Sequence, residues 1–254
     1  MVRRKSQFAV LGAALAVASM AETAQADMLF GVYAGAGSWQ QETSGELQSS
    51  GSLVDVQEDL GVEDERNRVG YVAVEHPLPV IPNVRLQYSG INANGNEVLS
   101  RSIEVNGTTF SFADTVTSVV DLVQGDAVLY YELTDTLVSF DVGLAARWVD
   151  GEIDLQSATQ SARAEFSGVL PLLYTAARID LPFSGFWLGG QALGVSYDGD
   201  SLIDLNAQIG WESALGLGAE LGWRSFELTL ENYDELDRAD IEVSGPYLAL
   251  NYHF

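Results

Sequence analysis

His76 and His253 are the only two histidines in the chain, and there is no cysteine. Without cysteine there can be no disulfide framework, thiol nucleophile or thiolate metal site. A serine or carboxylate nucleophile needs a neighbouring base, most often an imidazole. His76, however, sits in the turn-forming run Glu75-His-Pro-Leu-Pro, and His253 is part of the amphipathic run 246–254. Both read as structural histidines of a turn and a membrane interface. The sequence contains no Gly-rich phosphate loop and no zinc-ligand spacing. No catalytic residue is indicated, and the expectation is a protein that is not an enzyme.

Charge is the second source of chemistry. Asp55, Glu58, Asp59, Glu63, Asp64 and Glu65 crowd one polar stretch before Arg66. Oxygen-only clusters suit hard cations such as Ca²⁺, and these six are the candidate ligands; no other cofactor is indicated. The plainer alternative is a solvated acidic loop. The formal net charge of −24 argues against nucleic acid, which is held by Lys and Arg through counterion release. A second set of charges lies on the wet sides of apolar segments: Arg85, Arg147, Arg178 and Arg224 near Glu75, Asp126, Glu132, Asp141, Asp204, Glu212 and Glu220. Arginine forks suit carboxylates, and buried charges must be paired. Such a set fits either a polar plug or a narrow charged pore.

The elements that would carry these residues alternate with a period of two. In 202–213, Ile203, Leu205, Ala207, Ile209 and Trp211 oppose Asp204, Asn206, Gln208, Gly210 and Glu212; 137–149 repeats the pattern through Val138, Phe140, Val142, Leu144, Ala146 and Trp148. A soluble sandwich alternates too. Three further features favour a barrel in lipid. Aromatics such as Tyr33, Trp39, Tyr88, Trp148, Trp211 and Trp223 gather near segment ends, as in interfacial girdles. Tight turns alternate with longer polar links. Finally, Leu248, Leu250, Tyr252 and Phe254 share one face of a terminal strand, like the aromatic signature read by barrel assembly machinery. No run of 18 apolar residues follows Asp27.

The pattern predicts a closed antiparallel transmembrane β-barrel, all-β, of about ten strands near 28–41, 66–77, 84–95, 119–133, 137–150, 163–181, 186–198, 202–214, 219–233 and 239–254, with eight or twelve also possible. Loops near 42–65 and 96–118 should protrude. Asn106-Gly107 signals a hairpin in 98–112, read as a ribbon extending the third and fourth strands. Leu221 and Trp223 are out of phase with Phe226, Leu228 and Leu230, which suggests a bulge near Arg224-Ser225.

Arg3, Arg4 and Lys5, then an uncharged apolar run 8–20, then Ala24-Gln25-Ala26, predict a signal peptide over 1–26 with Ala24 and Ala26 at the cleavage site. The mature barrel, 27–254, would hold nine basic residues, all arginine, against 35 acids.

The stretch 53–65, the run 71–88 with its Glu75-His-Pro-Leu-Pro turn, and the Gly/Tyr/Ala-rich 29–39 resemble an uncharacterised family of Gram-negative outer-membrane β-barrel proteins. The resemblance runs through most of the mature chain. It implies a cell outer membrane location reached through the periplasm, and it implies no activity. The expected role is structural, surface-interacting or narrow-pore, with a lipid-modifying barrel enzyme as the alternative. Expected partners are outer-membrane lipid and, during biogenesis, the assembly machinery and periplasmic chaperones. Oligomeric state is unreadable.

Overall fold

The computed structural model describes residues 30–49, 52–105, 107–233 and 236–254. The signal-peptide reading, with Ala24 and Ala26, lies outside these residues. Among these described residues thirteen strands form: β1 Gly31–Ser49, β2 Ser52–Asp55, β3 Glu65–Glu75, β4 Asn83–Val98, β5 Ile103–Val105, β6 Thr108–Phe110, β7 Thr115–Asp135, β8 Val138–Gln156, β9 Ser161–Asp180, β10 Phe186–Tyr197, β11 Asp200–Glu212, β12 Leu217–Tyr233 and β13 Leu236–His253. Ten of them are long and pair antiparallel with their neighbours. The order runs from β13 to β1, and β13 pairs back onto β1. The chain is a closed ten-strand barrel, so the sheet has no terminal edge strand.

Closure runs from Tyr33↔His253 to Trp39↔Tyr247, then resumes at Glu42↔Ser244. The gap falls where Pro246 has no N–H to donate and Gly245 adopts φ +149. A Cβ on Gly245 would lie 2.1 Å from the Gln40 carbonyl. Only glycine fits, and the Gly245 carbonyl accepts a bond from Trp39 Nε1 at 3.1 Å.

Through the belt the pleat sorts side chains by parity, with register shifts at Glu132/Thr134 near the turn end and at Gln48/Ser49 near the loop end. In β11, Ile203, Leu205, Ile209 and Trp211 point outward and are 40–46 % exposed, while Leu202 and Asp204 point inward and are buried. Outward residues of β8 are apolar from 138 to 148 and then turn acidic at Asp150, Glu152 and Asp154. Those eleven positions, tilted by about 40°, span roughly 26 Å, the height of a hydrocarbon belt. Above the belt the preference inverts: Ile153 and Leu155 now face inward. The barrel thus has a lower zone, greasy outside and wet inside, and an upper zone of the opposite sense.

This inversion corrects one expectation. There is no bulge at Arg224-Ser225, because β12 pairs in unbroken register with β11 and with β13. Leu221 and Trp223 point out into the belt, whereas Phe226 faces the interior and Leu228 packs against the same interior cluster. The pleat stays in phase, and the surroundings change.

The reading of 98–112 also changes. β4 and β7 do extend as a long pair, Val98↔Thr115 to Asn83↔Tyr130. Between them, β5 and β6 form a small hairpin turning at Gly107 (φ +68). It folds over the barrel mouth and buries Ile103 and Phe110 rather than protruding as a ribbon.

Two ladders end early. β3 and β4 part after Val69↔Ser89, and carboxamides fill the seam: Gln41 Nε2 donates to the Gly90 carbonyl at 2.8 Å, and Asn67 Nδ2 donates to Gln41 Oε1 at 2.5 Å and to the Asn92 carbonyl at 3.1 Å. β9 and β10 part after Leu173↔Gly194, next to Pro171. A proline belongs at such an edge, since it lacks the N–H a ladder needs. Above it, β9 pairs with β8 alone.

Candidate functional site: the filled lumen and its lid

Inward-facing residues of the lower zone form a charge layer. Arg147, fully buried, donates from Nε to Asp126 Oδ1 at 2.6 Å and from Nη2 to Asp126 Oδ2 at 2.8 Å and Asp204 Oδ2 at 2.7 Å. Arg224 grips the same Asp204 from Nε at 2.8 Å and Nη2 at 2.6 Å, and lies over the Trp39 ring at 4.6 Å. Gln87 extends the layer to Asp126 at 3.3 Å, and Gln191 and Arg85 both donate to Gln87 Oε1, at 3.1 and 3.0 Å. Strands β4, β7, β8, β10, β11 and β12 are tied together across the bore.

The layer is electrically balanced, with two aspartates against two arginines. A bidentate fork satisfies a buried carboxylate far better than a single ammonium would. Arg85 behaves differently. It makes no ion pair among the described residues and stacks on Tyr71 at 3.9 Å. Glu220 is buried, within a hydrogen bond of Tyr71.

Towards the turn end, Glu75 accepts from the Tyr130 hydroxyl at 2.6 Å. Arg178 pairs with Asp180 at 2.8 Å, approaches Glu212 at 3.9 Å and lies over Trp187 at 4.4 Å. Glu212 is 3.4 Å from His253, whose ring stacks on Tyr33 at 4.1 Å. Asp141 is engaged in this region too, its carbonyl accepting from Thr175 Oγ1 at 3.0 Å. Tyr247 donates to Asn206 at 3.1 Å and also contacts Gln208. Among these groups lies a cavity of about 60 Å³, lined by Tyr71, Arg85, Gln87, Asp126, Glu220 and Arg224 among others. That is room for a few waters.

The loop end is closed by a small apolar core. Val54, Val56, Leu60 and Val62 from the acidic stretch meet Leu99, Ile103 and Phe110 from the second loop and Val116 and Leu155 from the strands. The acidic stretch is therefore a lid with two faces. Glu58, Glu63 and Asp64 are exposed, while its valines and leucine point into the mouth. Asp55 caps the lid's turn, its Oδ1 accepting the N–H groups of Gln57 at 2.8 Å and Glu58 at 2.7 Å. Glu65 accepts from Asn94 Nδ2 at 3.0 Å. Gly95 lets the lid approach, because a Cβ there would sit 2.1 Å from the Leu60 carbonyl. Among the described residues no three carboxylates or histidines converge as a metal ion would require. The six Ca²⁺ candidates are instead divided between turn, latch and solvent.

The latch is Asp59. Its buried carboxylate accepts from Arg101 Nη2 at 2.5 Å and from the Asp55 N–H at 2.9 Å. Burial alone would raise its pKa, but the Arg101 hydrogen bond, a backbone hydrogen bond from Asp55 and the guanidinium charge outweigh it and hold Asp59 below its ordinary value. The latch's contribution is therefore complete above the ordinary carboxyl value of 3.8 and lost as pH falls through the lowered one. Arg101 is half-exposed, which limits the pair to about 1 kcal/mol. Asp59→Asn should accordingly make protease cutting within 57–61 roughly fivefold faster at neutral pH. An unchanged cutting rate would mean that apolar packing alone holds the lid.

Sequence pattern pointed to the arginines and acids of the bore but missed their neutral partners Gln87 and Tyr71 and the Gln41–Asn67 seam, and it placed Trp39 in an interfacial girdle although the ring is fully buried beneath Arg224. The available signal was pleat parity, since Trp39, Gln87 and Tyr71 fall on inward positions of their strands. The lid was missed because Val54, Val56, Leu60 and Val62, although they share parity, pass from a short strand into a turn and are interrupted by Glu58 among surrounding acids. Leu248, Leu250, Tyr252 and Phe254 lie together on the outward face, with Leu248 58 % and Leu250 69 % exposed.

No protein-family model and no curated protein matches the chain. Solved structures do. The outer membrane protease OmpT from Escherichia coli is similar over 89 % of this chain and 97 % of its own, with a TM-score of 0.54 and 10 % identity. The translocator domain of the autotransporter NalP from Neisseria meningitidis covers 96 % and 95 %, with a TM-score of 0.44 and 8 % identity. Ail of Yersinia pestis covers 89 % and 100 %, at 0.37 and 12 %. At such identities likeness speaks to fold alone. The fold of this chain is that of a closed ten-strand outer-membrane β-barrel.

Proposed function

We propose that this chain is a sealed outer-membrane barrel with a structural or surface-interaction role and no catalytic chemistry of its own. The observation that carries this reading is the side-chain filling from lid to turn end: an apolar plug, a paired charge layer, and the Tyr130, Trp187 and Tyr33 contacts below it. In this reading the belt lies in hydrocarbon, the turn end faces the periplasm and the lidded end faces outward. The barrel machinery and periplasmic chaperones bring it there. Both histidines stand at the turn end, in or beside the first turn and the last strand.

Planar-bilayer recording tests the reading. No steady conductance step is expected from the purified chain, and a stable open channel would overturn the seal in favour of a narrow pore. Mass spectrometry of membrane lipids, with and without the protein, tests the lipid-modifying alternative. Unchanged acyl chains and headgroups are the expected result.

A further inference from the structure

We propose that Arg66 and Arg68 bind the phosphate of an anionic lipid headgroup at the upper edge of the belt. The inference rests on the membrane-barrel reading above. Its starting point is the state of the nine arginines in 27–254. Arg147 and Arg224 are locked in the charge layer, and Arg178 pairs at the turn end. Arg85 stacks on Tyr71, and Arg101 holds Asp59. Arg163 lies among Glu152, Asp154 and Glu165, and Arg238 among Glu231 and Asp240. Arg66 and Arg68 alone are exposed with neither an ion pair nor a ring partner among the described residues.

That is unexpected in a chain with three acids for every base. The collar above the belt is acidic almost all round, through Glu42, Asp121, Asp150, Glu152, Glu227, Asp240 and Glu242. At Arg66 and Arg68 the collar is interrupted. Their direct ladder neighbours on β1 are Gln40 and Ser38, a carboxamide and a hydroxyl. On β3 the same outward face continues downward into the belt through Gly70, Val72 and Val74. The two guanidinium groups therefore emerge where acyl chains end and headgroups begin. Alternate positions on a strand lie roughly 7 Å apart on one face, so both forks can reach one headgroup. Guanidinium matches phosphate oxygens in pairs and is only weakly hydrated, which suits an interface.

The probe is native mass spectrometry of the full chain in neutral detergent, titrated with phosphatidylglycerol and, separately, with phosphatidylcholine. Phosphatidylglycerol should be retained about tenfold better. Arg66→Gln with Arg68→Gln should abolish that preference, and Arg66→Lys with Arg68→Lys should keep part of it. Inorganic phosphate in millimolar excess should not displace the lipid; displacement would make this a soluble-anion site and overturn the lipid assignment. Equal retention by wild type and the Gln variant, or no preference in wild type, would also overturn it. Insertion of each variant into phosphatidylcholine vesicles, read as a heat-dependent gel shift, separates the two levels. A chain that inserts but shows no preference sinks only the headgroup site, whereas one that never inserts sinks the membrane reading and this site with it.

Discussion

Replacing Arg147 with methionine should cost 3–5 kcal/mol of stability, measured as a fall in the urea midpoint of the barrel in vesicles. The size follows from what remains. Asp126 would keep only the Gln87 amide, and Asp204 only Arg224, so one buried carboxylate would lose its counter-charge. Removing Asp126 as well, as Arg147→Met with Asp126→Leu, takes away both members of a pair and leaves Asp204–Arg224 balanced. Most of the stability should return, because deleting a whole buried pair is commonly near neutral while deleting half of one is not. The measurement also probes the seal. If Arg147→Met alone costs under about 1 kcal/mol, the layer is exchanging freely with bulk water, and a closed bore could not be maintained.

This sensitivity belongs to the part of the molecule that was easiest to read. In β8, β11 and the lower part of β12 the alternation of apolar and polar residues assigns each side chain to bore or belt, and Arg147, Asp204 and Arg224 fall inside on that basis alone. The reading weakens at the top of the belt. Leu221 and Trp223 face out and Phe226 faces in because the exterior changes from hydrocarbon to water between them. A one-residue bulge would write the same letters, and only the unbroken β12 register tells the two apart. The lid was harder still. Val54, Val56, Leu60 and Val62 turn inward from a short strand and a single turn, too short a stretch of either for its period to show, while acids surround them in sequence. The β3–β4 seam depends on Gln41, Asn67 and Asn92 meeting from three strands, which no local pattern encodes.

The two zones explain how one chain can carry so much acid without losing its barrel. In the upper zone acids point outward to water, and Arg163 and Arg238 are held among them at the surface. In the lower zone outward positions are nearly free of charge, and inward acids such as Asp126 and Asp204 are matched by guanidinium groups. Where a carboxylate sits along the strand therefore decides whether it needs a partner. Raising salt should screen the upper zone and leave the bore nearly untouched.

Arginine scanning along the outward face of β11 tests the belt itself, and its signature is a gradient. Ile203, Leu205, Ala207, Ile209 and Trp211 present one continuous outward row, so the centre of the belt falls at Ala207, with Leu205 in its upper half. Around Ala207 the wall is hollowed by small residues, Ala177, Gly190 and Ala192, between Phe140, Leu205 and Trp223. An arginine at 207 can lie in that hollow, but its walls are apolar and no headgroup is near. It should cost about 2–4 kcal/mol, with the penalty falling towards about 0–1 kcal/mol at 203 and 211, where the side chain can reach the interface. Asn206→Arg, one residue away but facing the acid-bearing bore, should follow no such depth rule and should lose mainly the Tyr247 hydrogen bond. A protein core pressed against this face would instead penalise arginine according to local packing, with the large Leu205 and Ile209 sites worst and Ala207 not singled out. Spin labels at the five outward positions give the independent check: collision with lipid-soluble oxygen should peak at 207 and decline towards both ends. A flat profile, or shielding from oxygen along the whole row, would mean that protein rather than lipid covers β11.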